Sequence, residues 1–409
     1  MKLKTTLIVA IAVFISFCNP LFANPDSETK SIYSKLLGEN REYWVNLPEQ
    51  YNPNTPEKYP VIYLLDGMSL QENLSTVYNN YWGHFMPHCI LVGISNQQNR
   101  TRDLTISAQD PAPKWNSKMQ SGGAEKFTLF IEQELIPHIE SQYKTSSYRT
   151  LIGHSYAGLF TINVFLNHSH LFTNYLAIDP SLDWADQKLL KTAKTKLNSN
   201  RYHNKSLVLT MASEQLHIFD ASVNFDNVKQ DKTEFTISPR SILSFADYAE
   251  ADTTLNFKFQ NYPEDLHGTV PLPSMMDGLK FLFEWFQFKS PQKYNNPETS
   301  IEEIKALLDT QAKIYKSHLG YDVPPMIEEM FNGYGYMNLQ MGYPEKSKLF
   351  FELGIKYYPE SANAYDSMAD YNLSTNDTKS AIANVKKAYE LSKSDYYKNR
   401  LIELQKGNQ

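Results

Sequence analysis

Over the first two thirds of the chain, apolar residues fall in short continuous runs separated by polar stretches. Tyr59 to Leu65, Cys89 to Ile94, Tyr148 to Ile152, Asn174 to Ile178, Ser206 to Met211 and Leu255 to Phe259 are such runs. All six are short; Tyr59 to Leu65 and Cys89 to Ile94 are apolar at nearly every position, the pattern of parallel strands covered on both faces. Ahead of them, Ser31 to Leu47 alternates and predicts two antiparallel strands joined at Gly38-Glu39-Asn40. Ala124 to Tyr143 repeats at helical spacing, with Phe127, Phe130, Ile131 and Leu135 on one stripe and Pro137 marking a kink or the last turn. Leu159 to Asn167 predicts another helix, and Met275 to Phe286 a closing amphipathic one. Ser95 to Ser121 is long and polar and reads as a loop over the active face. Strands alternating with helices predict an α/β fold with a mostly parallel central sheet.

The rhythm changes near Ser290. Pro291 to Thr299 is a polar linker with two prolines, and Ser300 with Glu303 forms a capping box before a helix running to about Ser317. From about Glu328 a weak repeat with a period of roughly 34 residues appears. Gly335 aligns with Ala369, Gly342 with Asn376, Ser347 with Ala381, Phe351 with Val385 and Gly354 with Ala388. These are the small and bulky positions of a tetratricopeptide-like helix pair, and a last helix starts at Tyr396. Residues 24–290 thus form the α/β unit and 291–409 an all-α tail, read as an interaction or stability element that docks on neighbouring helices.

The N-terminus adds a third segment. Lys2 and Lys4, the apolar run Leu7 to Phe17 and then Leu21-Phe22-Ala23 read as a secretory signal peptide, residues 1–23. Cleavage after Ala23 implies a periplasmic or secreted protein with no membrane span left after processing. Net charge is −6, with no basic patch, which argues against nucleic acid as a partner. The two cysteines are Cys18, inside that leader, and Cys89, inside an apolar strand, so a disulfide framework is excluded from a mature monomer. The Cys/His spacing of a metal site is absent from the sequence, and no cofactor is implied.

One stretch carries chemistry. Leu151-Ile152-Gly153-His154-Ser155-Tyr156-Ala157-Gly158 reads as strand, sharp turn, helix. It fits G-x-S-x-G with Ala157 in the last glycine's place. Small neighbours let the serine adopt a strained turn that lifts its hydroxyl above the sheet edge. A serine needs a base and a group that orients the base. His267 follows the last strand and precedes Gly268, and is selected from ten histidines on that position. His154 adjoins the serine, but its side chain is expected to point away from it. Glu214, just beyond the strand ending at Met211, is the favoured acid; Asp179 and Asp220 are alternatives. The oxyanion donors are the backbone N–H of Tyr156 and that of Met68 or Gly67. Trp184, near the sheet edge, and Arg102 are candidate substrate contacts.

These residues resemble a family. Tyr59-Pro-Val-Ile-Tyr-Leu-Leu-Asp66-Gly67, Arg100-Thr101-Arg102-Asp103-Leu104-Thr105, the Ser155 turn, Asp179-Pro180-Ser181-Leu182 and His267-Gly268 look like the esterases related to esterase D and the enterochelin esterases. The resemblance runs from about Ser31 to Lys289. It implies the α/β-hydrolase fold, hydrolysis of a small-molecule carboxylic ester, no cofactor, and a Ser–His pair whose third member varies. The family often has Ser where this chain has Asp179, which leaves Asp179 open as the acid. The tail lies outside the resemblance and could hold a protein partner. The expected activity is a secreted serine esterase acting through an acyl-enzyme, with siderophore-type or aryl esters preferred to lipids. Acyl transfer on the same scaffold, and a non-catalytic binding protein acting through the tail, are the alternatives.

Overall fold

In the computed structural model the described residues are 28–49, 51–54, 57–106, 120–197, 201–218 and 220–406. The expected leader, and Trp115, Asp110 and Lys114 of the polar loop, lie outside them. Eight strands form one sheet in the order β1-β2-β4-β3-β5-β6-β7-β8. They are β1 (Lys30–Ser34), β2 (Glu39–Asn46), β3 (Tyr59–Leu64), β4 (Ile90–Ile94), β5 (Thr145–His154), β6 (Asn174–Ile178), β7 (Ser206–Ala212) and β8 (Asn256–Tyr262). β1 and β2 pair antiparallel, β2 runs antiparallel to β4, and the other pairs are parallel.

The helices of this part are α1 (Gly67–Tyr81), α2 (Arg100–Leu104), α3 (Ala124–Phe130), α4 (Ile136–Gln142), α5 (Tyr156–Asn167), α6 (Trp184–Lys196), α7 (Ile237–Glu250) and α8 (Pro271–Leu282). Successive strand residues feed opposite layers. Val61, Tyr63 and Leu151 pack into the layer of α3, α5 and α7, whereas Ile62, Leu64 and Ile152 pack into that of α1 and α8. Helices α1, α6 and α7 were not among the helices expected from the sequence; α1 opens Gly-Met-Ser-Leu-Gln-Glu-Asn-Leu and buries Leu74, Val77, Tyr78 and Tyr81. The expected break at Pro137 takes a specific form. A π-helical turn, Ile131–Leu135, joins α3 to α4 just before the proline, which has no N–H to continue the ladder. The expected polar loop is a helix over its α2 part.

The remaining helices are α9 (Ile301–Leu319), α10 (Glu328–Gln340), α11 (Pro344–Tyr357), α12 (Ala362–Ser374), α13 (Thr378–Ser392) and α14 (Asp395–Lys406). Ser300 caps α9 by accepting from the Glu303 N–H at 3.1 Å, as the capping box requires. α9 packs back on the α/β unit. Tyr315 donates to the Phe286 carbonyl at 2.7 Å, Gln311 donates to the Trp285 carbonyl at 3.1 Å, and the His318 ring stacks on Trp285 at 4.3 Å. Tyr315 joins the core beneath α1 and α8. Trp285 in turn donates to the Tyr148 hydroxyl at 2.8 Å, so α9 is tied to the base of β5. Among the described residues no helix is long and apolar enough to cross a membrane.

Candidate active site

Ser155 stands between β5 and α5. Its backbone has φ 62° and ψ −118°, a left-handed conformation costly for any residue with a Cβ. Hydrogen bonds over-determine it: the Ser155 N–H donates to the Ile178 carbonyl at 3.0 Å, and its own carbonyl accepts from Leu159 at 2.9 Å and Ser181 at 3.2 Å. Gly153 is required by close approach, since a Cβ there would come within 2.2 Å of the Ala157 carbonyl. The turn of the sequence motif is therefore built from backbone contacts to β6 and to the first turn of α5.

Two helix N-termini meet at this edge. α5 begins at Tyr156 and α1 at Gly67, and their strands β5 and β3 are neighbours. The first N–H groups of a helix have no intrahelical acceptor. Tyr156, Gly67 and Met68 each hold such an N–H, which suits an oxyanion. α1 is set in place by close packing. The Trp44 indole donates to the Gly67 carbonyl at 3.1 Å, and a Cβ on Gly67 would meet Gly93 at 2.6 Å.

His267 lies on the loop from β8 to α8. Its Nδ1 is 2.7 Å from Oδ2 of Asp179, the residue that ends β6. Asp179 is itself left-handed, φ 40°, and its other oxygen accepts from the Ala212 N–H at 3.3 Å. Sequence reasoning favoured Glu214, but the carboxylate at Nδ1 is that of Asp179. The physical reason lies in the strand ends. β7 carries Glu214 outward into a short 3-10 turn where it is exposed, and its backbone N–H donates to the Asp265 carbonyl at 3.3 Å. Glu214 thus braces the histidine loop through its backbone. Asp220, the other alternative, accepts from the hydroxyl and N–H of Ser222 at 2.7 and 2.9 Å in a local turn.

The two expected substrate contacts are otherwise engaged. Arg102 holds Glu39 through two hydrogen bonds, 2.6 and 3.1 Å, and Asp103 through a third at 2.8 Å. Asp103 also pairs with buried Arg41, so the Arg102-Asp103 dipeptide clamps α2 to β2. Trp184 is only 8% exposed and packs edge-on against Tyr156 at 5.2 Å.

Three residues were missed. Arg100 donates to Asp66 at 2.9 Å and to the His154 carbonyl at 3.3 Å, and lies 5.3 Å over the Tyr156 ring. Burial pushes the Asp66 carboxyl up, with Arg100 pulling it back down. His154 lies against His267, ring centroids 4.5 Å apart. Asp66, Ser69, Leu70, Gln97, Arg100 and His154 border an open cleft of about 180 Å³. Asp66 and Arg100 stood inside the quoted motifs, but nothing in a linear sequence pairs residues 34 positions apart. Among the described residues no cluster of His, Cys, Asp and Glu could hold a metal ion.

A family model described as "Putative esterase" matches residues 34–268. The chain belongs to that family. It is by that membership a carboxylic ester hydrolase. It is 30% identical over 225 residues to the ferri-bacillibactin esterase BesA of Bacillus subtilis, spanning 51% of this chain and 77% of that one. It is 29% identical over 150 residues to the apo-salmochelin esterase of Escherichia coli, spanning 34% of this chain and 46% of that one. Among solved structures, an IroE-like serine hydrolase from Shewanella oneidensis matches with a TM-score of 0.64 at 27% identity, covering 81% of this chain and 99% of that one. The esterase family and the α/β-hydrolase fold with a helical C-terminal region therefore stand as expected.

Proposed function

We propose that the chain is a serine esterase in which Ser155 is the nucleophile, His267 the base and Asp179 the acid. The observation that carries this reading is the 2.7 Å contact between Asp179 and Nδ1 of His267, beside a serine at φ 62°. Asp179 accepts from Nδ1–H, which leaves Nε2 unprotonated and able to take the Ser155 proton as Oγ bonds to the ester carbon. The carbonyl electrons move to oxygen, where the N–H of Tyr156 and that of Met68 or Gly67 stabilise the charge. The oxyanion collapses and expels the alkoxide, which takes the proton from Nε2. A water molecule then repeats the sequence on the acyl-enzyme, giving the acid and free Ser155.

The substrate proposed is a siderophore-type or aryl ester. Support comes from the relatives, whose names refer to bacillibactin and salmochelin. We further propose export through the Lys2-to-Ala23 leader, a mature chain starting at Asn24, and a tetratricopeptide-like tail able to hold a protein partner. The proposed division into 24–290 and 291–409 carries one qualification: α9 bridges the two, Tyr315 joining the hydrolase core while Ile304 and Leu308 join the core of the tail. The test is labelling by a fluorophosphonate with mass-spectrometric mapping, followed by a hydrolysis screen over aryl, short alkyl, long acyl and catechol siderophore esters. Labelling at Ser155 with turnover of aryl or catechol esters is expected. An unlabelled Ser155, or a preference for long acyl chains, would overturn the reading.

A further inference from the structure

The imidazole of His267 is nearly half exposed, at 46% of its side chain, and Asp179 holds it at one edge only. An exposed ring on a loop, tethered by one hydrogen bond, can still rotate about that bond. Something must fix its plane if Nε2 is to meet the serine hydroxyl. Strand geometry supplies a candidate. Gly153 faces α5, where a Cβ would strike Ala157 and Thr161, so the next side chain along β5 faces the opposite layer. That layer contains α8, and the loop entering α8 carries His267. His154 was expected to point away from the serine; alternation sends its side chain toward His267.

We propose that His154 is a positioning residue for His267: its ring, packed on the His267 ring with centroids 4.5 Å apart and planes 39° apart, fixes the orientation that Asp179 leaves free. This rests on the reading of His267 as the base. The backbone of His154 is anchored. It ends β5, its carbonyl accepts from Arg100, and its Nε2 is buried without a hydrogen-bond partner among the described residues. The charged or titratable groups that face it are His267 from the β8–α8 loop, Arg100 from α2 and Asp66 at the head of α1; Asp179 acts on it through His267. Burial and the neighbouring His267 push its pKa down to about 3, so at neutral pH it is an uncharged surface. A cation there would repel the imidazolium that forms on His267 during attack. An uncharged ring supports that ring without opposing its charge.

The test uses the full chain and an activated aryl acetate. His154→Ala should lower kcat about 10²-fold with KM changed by less than about threefold, the pattern of a misplaced base rather than a lost binding contact. His154→Phe, which restores an uncharged ring, should recover most of that loss. The double variant with Asp179→Asn should lose less than the product of the two single losses, because both act through His267. Should His154→Ala fail to fold, His154→Asn takes its place against His154→Phe. Full kcat in the ringless variant, equal impairment of the ringless and Phe variants, or strict additivity with Asp179→Asn would each overturn the proposal. Ser155→Ala separates the two levels: if it stays active the esterase reading itself fails, and if it is dead the His154 results bear on positioning alone.

Discussion

The catalytic edge of the sheet and the helical tail are made from the same twenty residue types under opposite rules. Along the edge, Asp66, Ser155 and Asp179 each lie just past a strand end in a left-handed conformation, with φ of 52°, 62° and 40°. None is glycine. In the tail, Ser300, Ser361 and Asp377 cap their helices with side-chain oxygens, and Gly320 takes the left-handed position after α9. Asn376 and Lys393 are the tail's left-handed non-glycine residues among those described, both at helix–helix turns. Strain of about 1–3 kcal/mol per residue persists only where surrounding contacts impose it. In the α/β unit it falls on these three residues and also on Ala185, Asp186, Gln187 and Asn204. Among the described residues the tail has no such concentration.

That contrast can be broken most forcefully at the serine. Ser155→Ala and His267→Ala should each lower kcat on the order of 10⁶-fold, read by steady-state hydrolysis of an aryl ester, with the fold intact by circular dichroism. The second effect is structural. A chain ending at Ser290 loses α9 and bares Trp285 and Phe286, which Tyr315, Gln311 and His318 cover. It should be insoluble or melt well below the parent, whereas a chain ending at Pro324 should stay folded and active. A soluble, fully active chain ending at Ser290 would show that α9 is not part of the hydrolase core.

A smaller effect concerns pH. His154 has an ordinary value of 6.5 and is pushed down to about 3 in the folded protein. Between those values the unfolded chain binds a proton that the folded chain does not. Its contribution to stability is therefore full above about pH 6.5 and is lost as pH falls toward about 3. Urea unfolding at pH 7 and pH 5 should show a smaller acid loss for His154→Phe than for the parent. The smallest effect belongs to the tail. Ser361 accepts from the Ala364 N–H at 3.2 Å at the start of α12, and Ser361→Ala should cost about 1 kcal/mol without changing kcat/KM.

What the sequence disclosed follows from how local each signal is. Buried strands are legible because burial on both faces writes a continuous apolar run, as in Tyr59 to Leu64. The serine turn is legible because close approach demands Gly153 and small neighbours. The carboxylate that meets His267 was not legible. Asp179 and Glu214 both lie just past strand ends, and which of them reaches the ring depends on a φ of 40° at Asp179 and on where the β8–α8 loop crosses the edge. Neither leaves a mark on residue types. α1 was missed because polar residues dilute its buried Leu74, Val77, Tyr78 and Tyr81; α7 was missed although Ile242, Phe245, Ala246 and Ala249 lie at helical spacing. Arg102 misled because an arginine on a polar loop looks available, while Glu39 and Asp103 that consume its donors are set by the fold.

The central claim is that Asp179 rather than Glu214 orients the catalytic histidine. It is tested by kcat for Asp179→Asn and Glu214→Gln on the same aryl ester, beside the parent. The account predicts a loss on the order of 10⁴-fold for Asp179→Asn, because Nδ1 loses its acceptor and the wrong tautomer is favoured. Glu214→Gln should stay within a few-fold of the parent, since its backbone rather than its carboxylate meets the histidine loop. Near-full activity in Asp179→Asn, together with a collapse in Glu214→Gln, would contradict the account.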